Sequence, residues 1–172
     1  MEASLLERIG HITFVTSLEY LQIHDCLNMN IPMTGCYNFL VSLMITNGCE
    51  SLTTFPLDFF PKLECLFLRG CRNLHVISQG LAHNHLKDLA IHECAQFEAL
   101  PERMHTLLPY LDELNIDDCP KFESFPNGGL PSNLKKIHLS KCSKLYHLSK
   151  KSFGRQSLSG NLGYWTRRGV FP

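Results

Sequence analysis

One short phrase recurs six times along the chain: Leu-x-x-Leu-x-Ile/Leu, two or three further residues, then a cysteine. It begins at Leu18, Leu40, Leu63, Leu86, Leu111 and Leu134, with Ile137 standing for the second leucine of the last copy. Its cysteines are Cys26, Cys49, Cys71, Cys94, Cys119 and Cys142. Successive starts lie 22, 23, 23, 25 and 23 residues apart. A unit this short cannot enclose a hydrophobic core alone. Its apolar face is buried only when copies stack, so a fixed period of this length predicts a solenoid.

Chemistry changes along each period. From Leu63 to Arg69 the apolar residues alternate after the first leucine, the pattern of a half-buried strand. Leu66 and Leu68 should point inward, and Cys65, Phe67 and Arg69 outward. The same frame places Leu89 and Ile91, Leu114 and Ile116, and Ile137 and Leu139 inside. Strands this short are unstable singly but form one sheet when stacked in parallel. After each cysteine an apolar residue follows three places on and another about six places on, often before a proline. Examples are Cys49, Leu52 and Phe55-Pro56, then Cys94, Phe97 and Leu100-Pro101, then Cys119, Phe122 and Phe125-Pro126. Proline excludes a long helix here, so loops and single helical turns are expected on the outer side. Strands stack about 4.8 Å apart and the outer segments need more room, so the solenoid should curve. The expected fold is an α/β repeat solenoid: a leucine-rich-repeat horseshoe with a short-stranded parallel sheet on the concave face and mostly irregular convex loops.

The cysteines sit where the chain leaves its strand. A small, apolar, weakly hydrogen-bonding side chain suits that corner, so they should form a reduced ladder facing inward. Disulfides would need an oxidising compartment. Cys36 and Cys65 fall outside the ladder, and Cys65, expected on the concave surface, is the better candidate for a reactive thiol.

The phrase divides the chain into a partial repeat (residues 1–17), six repeats (residues 18–148) and a basic, flexible tail (residues 149–172). Neither end shows a clear polar cap, which suggests a piece of a longer array. The first residues lack the basic start and apolar stretch of a secretory signal. No apolar run approaches the roughly 18 residues of a membrane span, and no Asn-x-Ser/Thr acceptor occurs. These features point to the cytoplasm, or the nucleus, and to no membrane partner. The net charge of zero hides a division: residues 1–123 hold all 16 acids and 7 of the 16 Lys and Arg, so residues 124–172 hold the other 9.

Outward positions of the six strands fall in three columns. The first is Tyr20, Ser42, Cys65, Asp88, Glu113 and Lys136. The second is Gln22, Met44, Phe67, Ala90, Asn115 and His138. The third is His24, Thr46, Arg69, His92, Asp117 and Ser140. Tyr20, Met44 and Phe67 should make an apolar, aromatic patch, the usual anchor of a protein interface. Asp88, Glu113 and Asp117 should make an acidic patch bounded by Arg69 and Lys136. The expected partner-binding set is therefore Tyr20, Met44, Phe67, Arg69, Asp88, His92, Glu113, Asn115, Asp117, Lys136 and His138, with a protein as partner.

Nothing points to catalysis, a metal or a cofactor. His83-Asn84-His85 resembles part of a nuclease pattern without its second metal-binding element. His24-x-Cys26 and His92-x-Cys94 offer zinc-ligand types, but the strand frame turns the cysteine inward and the histidine outward. No phosphate-cradling Gly-x-x-x-x-Gly-Lys-Ser/Thr loop occurs.

The stretch from Phe125-Pro126-Asn127-Gly128-Gly129-Leu130-Pro131 through Leu134, Ile137, Leu139 and Cys142 to Leu145 is the most specific. It resembles the C-terminal repeats of plant intracellular nucleotide-binding leucine-rich-repeat immune receptors of the coiled-coil class. The repeats at Leu86 and Leu111 are of the same type, and the resemblance covers residues 18–148. It implies a protein-recognition module of a disease-resistance receptor, sensing a pathogen effector or a modified host protein, or contacting the receptor's own nucleotide-binding domain. Without the phosphate loop, nucleotide binding does not carry over, which fits a receptor fragment. Two alternatives remain: a substrate-recruiting arm of a ubiquitin ligase, and, less favoured, nucleic-acid binding through the tail. The tail reading uses Lys144, Lys150, Lys151, Arg155, Arg167 and Arg168, with Tyr164 and Trp165 to stack on bases.

Overall fold

A computed structural model describes residues 18–31, 35–126 and 128–145, together with the backbone of residues 165–166. Six five-residue strands stack in parallel: β1 (Tyr20–His24), β2 (Ser42–Thr46), β4 (Cys65–Arg69), β6 (Asp88–His92), β7 (Glu113–Asp117) and β8 (Lys136–Ser140). Each is the second half of one sequence phrase. The register is in phase throughout: Leu43 faces Leu66, Leu66 faces Leu89, Leu89 faces Leu114, and Leu114 faces Ile137. In-phase pairing turns each apolar position into a continuous column. Leu43, Leu66, Leu89 and Leu114 are each 1% exposed, and Ile45, Leu68, Ile91 and Ile116 are fully buried. At about 1.5–3 kcal/mol for each fully buried aliphatic side chain, these interior columns hold the stack together.

Every strand ends in the same corner. The residue after it has a left-handed backbone: Asp25, Asn47, Gly70, Glu93, Asp118 and Lys141 have φ between 50° and 63°. The N–H of that residue still bonds to the last strand carbonyl of the next repeat, as Gly70 N–H does to His92 at 3.0 Å and Glu93 N–H to Asp117 at 2.9 Å. The sheet ladder is therefore carried one residue past the strand while the chain turns away. The second repeat has one residue more, and Cys49 takes a further left-handed step at φ 56°.

The cysteines complete this corner. Cys49, Cys71, Cys94, Cys119 and Cys142 are at most 1% exposed, and Cys26, in the first described turn, is half-buried. All are free thiols. Cys94, Cys119 and Cys142 each donate to the carbonyl two residues back, at 3.2, 3.4 and 3.3 Å, and lie 3.6–3.9 Å from a carbonyl of the preceding repeat. The carbonyls of Cys26, Cys49, Cys71, Cys94 and Cys119 each accept the N–H three residues on, as with Cys71 and Leu74 or Cys94 and Phe97. Alanine would leave those carbonyls without the thiol. Burial pushes the Cys49 and Cys142 thiols up to about 11 and raises Cys119 as well. The hydrogen bond with the Cys71 thiol, then burial, raises Cys94.

On the outer side the apolar positions three and six places beyond the cysteine are buried at Leu52 and Phe55, Leu74 and Ile77, and Phe97 and Leu100, and Phe122 is buried while Phe125 is only half-buried. Single turns are present as a 3-10 turn at Leu57–Phe59 and a four-residue helix α1 at Met104–Leu107. The outer side also holds a second parallel sheet, β3 (Thr54–Pro56) with β5 (Val76–Ser78), extended by a bridge from Val76 to Ala99. Proline was expected to leave this side irregular. At Pro56 it sits instead within β3, an edge strand of this sheet, where proline is tolerated.

The antiparallel pair Trp165–Thr166 (β9) lies on β8, with Lys136 facing Thr166 and Ile137 facing Trp165. The partial repeat expected at residues 1–17 and the rest of the tail lie outside the described residues.

Candidate protein-contact surface

Strand register places the outward residues in the three expected columns. Tyr20, Ser42, Cys65, Asp88, Glu113 and Lys136 face one another in sequence. So do Gln22, Met44, Phe67, Ala90, Asn115 and His138, and likewise His24, Thr46, Arg69, His92, Asp117 and Ser140. Because every strand is fixed by its buried residues, these side chains stand on a rigid grid with about 4.8 Å between rows.

Within the grid, the apolar patch is smaller than expected. Met44 faces Phe67 directly, but its other neighbour is Gln22. Tyr20, 66% exposed, belongs to the first column and faces Ser42. Alternation sets this: residues two apart on a strand share a face but not a column. Phe67 turns toward the third column, where its ring meets His92 edge-on at 5.0 Å and 74°.

The charged residues pair rather than bound a patch. Lys136 is ion-paired with Glu113 in the adjacent strand. Arg69 reaches Glu93, in the corner after β6, at 2.7 Å. Both cations are raised in pKa by their carboxylate partners. Asp88 accepts a long hydrogen bond from the Cys65 thiol at 3.5 Å. Burial and that carboxylate push Cys65 up to about 11, so it is a protonated donor at neutral pH and not the reactive thiol expected. The exposed thiol of the pair is Cys36.

His92 sits between Phe67, Asn115 and Asp117. Burial lowers its pKa, against the opposing pull of Asp117 and Asn115. His92 Nε2 and Asn115 Oδ1 are shielded from solvent, and neither forms a hydrogen bond of good geometry.

Two features escaped the sequence columns. At the rim where the strands begin, the residues after Leu63, Leu86, Leu111 and Leu134 (Glu64, Lys87, Asp112 and Lys135) form an alternating charge ladder. In it Lys87 meets Glu64 at 2.8 Å and Lys135 meets Asp112 at 2.8 Å. The ladder borders a shallow cleft of about 420 Å³ with Asn84, His85, Tyr110 and Asn133 on its other wall. Extending the columns one position forward would have shown it. The second is His83, 3% exposed, in the segment whose histidines resemble a nuclease pattern. Its Nε2 lies 2.8 Å from the Phe60 carbonyl and its Nδ1 accepts the Leu86 N–H at 3.1 Å. Both ring nitrogens are occupied by the scaffold, and burial lowers its pKa.

Among the described residues no cluster of His, Cys, Asp and Glu could hold a metal, and no helix is long and apolar enough to cross a membrane. The surface is thus a stiff, grooved array of paired charges around a few aromatic and amide groups, suited to contact with another macromolecule.

Comparison with curated proteins points the same way. A protein of Arabidopsis thaliana named as a disease resistance protein is 33% identical over 162 residues, covering 76% of this chain and 11% of its own length. Disease resistance RPP13-like protein 1 of the same plant is 29% identical over 114 residues, covering 62% of this chain and 11% of its own. This chain is a leucine-rich-repeat solenoid homologous to plant disease resistance proteins. TMV resistance protein N of Nicotiana glutinosa is 26% identical over 148 residues, covering 70% of this chain and 13% of its own. The leucine-rich-repeat chain spans about a tenth of the length of the curated relatives it matches. No protein-family profile matches it, and no solved structure does.

Proposed function

We propose that this solenoid is the protein-recognition part of a plant innate immune receptor, acting in the cytoplasm, and that its concave sheet is the contact surface. Its partner is a pathogen effector, a modified host protein, or the nucleotide-binding domain of the same receptor. The observation that carries the reading is the in-register grid: Met44, Phe67, Asp88, His92, Asn115 and Asp117 gathered on one rigid face of a chain homologous to disease resistance proteins. The grid supports recognition rather than chemistry. Its cations Arg69 and Lys136 are taken up by Glu93 and Glu113, and interfaces of this kind draw their energy from a few buried aromatic and charged anchors.

The test is affinity. The proteins retained by the wild-type chain in plant extracts are identified, the best candidate is purified, and its binding is measured by calorimetry. Phe67→Ala and Asp88→Lys should each weaken it by about tenfold or more. Substitution of the exposed convex residue Glu102 should leave it unchanged. Unaltered affinity in both concave variants would reject this face.

A further inference from the structure

We propose that the outer edge of β8 is a strand-pairing site, occupied by β9 of the same chain and open, when β9 is withdrawn, to the β8 edge of a second copy. The concave contact surface is not involved, because this edge lies at one end of the sheet and not on its face.

Among the described residues β8 ends the parallel stack. The five neighbouring pairs from β1 to β8 are all parallel, each in register over five residues. Of the described strands in this sheet, β9 alone runs antiparallel, and it follows β8 in the strand order. A further repeat would arrive parallel, as each one before it does. An antiparallel strand therefore marks a chain that has folded back onto the edge. An edge left open offers its backbone donors and acceptors to any other strand. The interior is also less well closed here. Leu114 and Ile116 on the strand before are 1% and 0% exposed, whereas Leu139 is 7% exposed and Ile137 only half-buried. β9 sets Trp165 opposite Ile137, the less covered of the two.

The cover is partial. β9 pairs with Lys136 and Ile137, and β8 continues to Ser140. A second β8 laid antiparallel and centred on His138 would pair the whole strand. Lys136 of each copy would face Ser140 of the other, Ile137 would face Leu139, and His138 would face its own counterpart. Inward residues then meet inward residues and outward meet outward, so neither copy has to shift a side chain from its interior. The same strand stands on both sides of this contact, which makes it a closed two-fold pair. The two arrangements exclude each other because they use one edge. The second copy offers the longer ladder. β9 is tethered, so its local concentration is independent of how much protein is present. Closure by β9 therefore prevails when the protein is dilute.

The test uses the full chain. In the wild type, nuclear Overhauser contacts are expected between the backbones of residues 136–137 and 165–166, with a monomer in dilute solution. Trp165→Pro combined with Thr166→Pro removes both N–H groups of β9. Amide exchange across residues 136–140 should then rise about tenfold or more, while Leu66 and Leu89 stay protected, and a dimer should form as concentration rises. Adding His138→Cys should let mild oxidation link two copies through position 138, since directly opposed antiparallel residues lie about 4.5–5.5 Å apart at Cα. His138→Cys with β9 intact is a readout that needs no proline: the same link should form more slowly, with a yield that grows with concentration. Missing contacts between 136–137 and 165–166, or unchanged exchange in the proline variant, would overturn the closure by β9. An opened edge that stays monomeric, or a dimer that does not link through position 138, would overturn the pairing of two copies.

Discussion

His83 offers the sharpest test of how this solenoid is held together. In four other repeats the first leucine's N–H bonds to the carbonyl three residues back: Leu40 to Tyr37, Leu63 to Phe60, Leu111 to Leu108 and Leu134 to Pro131. In the fourth repeat the His83 imidazole takes that bond at Nδ1, while Nε2 lies 2.8 Å from the Phe60 carbonyl of the repeat before. The only ring state that satisfies both is neutral, with the proton on Nε2. Replacement by alanine orphans the Leu86 N–H, at about 1–3 kcal/mol, and opens a cavity, so a total loss of about 2–4 kcal/mol is expected at pH 7.5. His83→Leu fills the space with the residue that occupies this position one repeat later but still removes the acceptor of the Leu86 N–H, so it should cost about 1–3 kcal/mol, without the cavity. The pH dependence is the more telling readout. Burial holds the folded pKa below the ordinary 6.5. Between 6.5 and that lower value the unfolded chain binds a proton that the folded chain refuses. Stability from this group is therefore full above pH 6.5 and falls as the pH drops, by up to about 1.4 kcal/mol per pH unit. His92, also lowered, adds a slope of the same sign in both proteins. Urea unfolding of the wild type and His83→Leu at pH 7.5, 6.5, 6.0 and 5.5 isolates the difference. The gap between the two should narrow on acidification and close or invert. Parallel curves would refute the neutral, doubly bonded imidazole.

Gly70→Ala should destabilise the chain by about 1–2 kcal/mol or more, because its φ is 63° and a Cβ there would clash with Asn47 Oδ1. In an Asn47→Gly background the steric part vanishes, so thermal melts should show a smaller cost for the same change; an equal cost would remove Asn47 from the account. Alkylation by iodoacetamide at pH 8, read by mass spectrometry, should modify exposed Cys36 first and leave Cys71, Cys94 and Cys119 unmodified until the chain unfolds. Cys65, pushed up to about 11, is only about a thousandth ionised at that pH and should react slowly although half-exposed; rapid labelling of Cys65 would contradict its bond to Asp88.

Much of this molecule was legible because its period is rigid. Once Leu63-x-x-Leu66-x-Leu68 is recognised as a strand with two inward residues, the in-phase stacking of six copies dictates which residues face outward and which column each joins. The buried cysteines followed from their place at the corner. What escaped was whatever depends on partners across repeats. Met44 and Phe67 adjoin, but Tyr20 does not, because aromatic type was read before column. Arg69 and Lys136 looked like borders of an acidic patch because their carboxylates, Glu93 and Glu113, lie one repeat away. Cys65 looked reactive because Asp88 is 23 residues distant in sequence and adjacent in space. His83 lacked any signal in its own repeat; it shows only when Tyr37, Phe60, Leu108 and Pro131 are aligned with it.

The corner geometry explains how such a chain can vary its contact surface without losing its fold. Three devices close the repeats: the inward apolar pair, the left-handed residue that prolongs the ladder, and the buried cysteine, which at Cys94, Cys119 and Cys142 also ties its own strand end to the repeat before. None of them uses an outward side chain. At the left-handed corner Asp25, Asn47, Gly70 and Asp118 are of the types that favour positive φ, and Glu93 and Lys141 hold the same 50–63° range without that preference. A non-glycine residue in that conformation costs about 1 kcal/mol, and the ladder bond made by its N–H, together with the burial of the adjoining cysteine, offsets it. Stability is thus set by positions that repeat, and recognition by positions that do not. Changes at Ala90, Asn115 or Asp117 should therefore alter binding far more than they alter the melting temperature, whereas changes at Leu89 or Ile116, one residue away, should do the reverse.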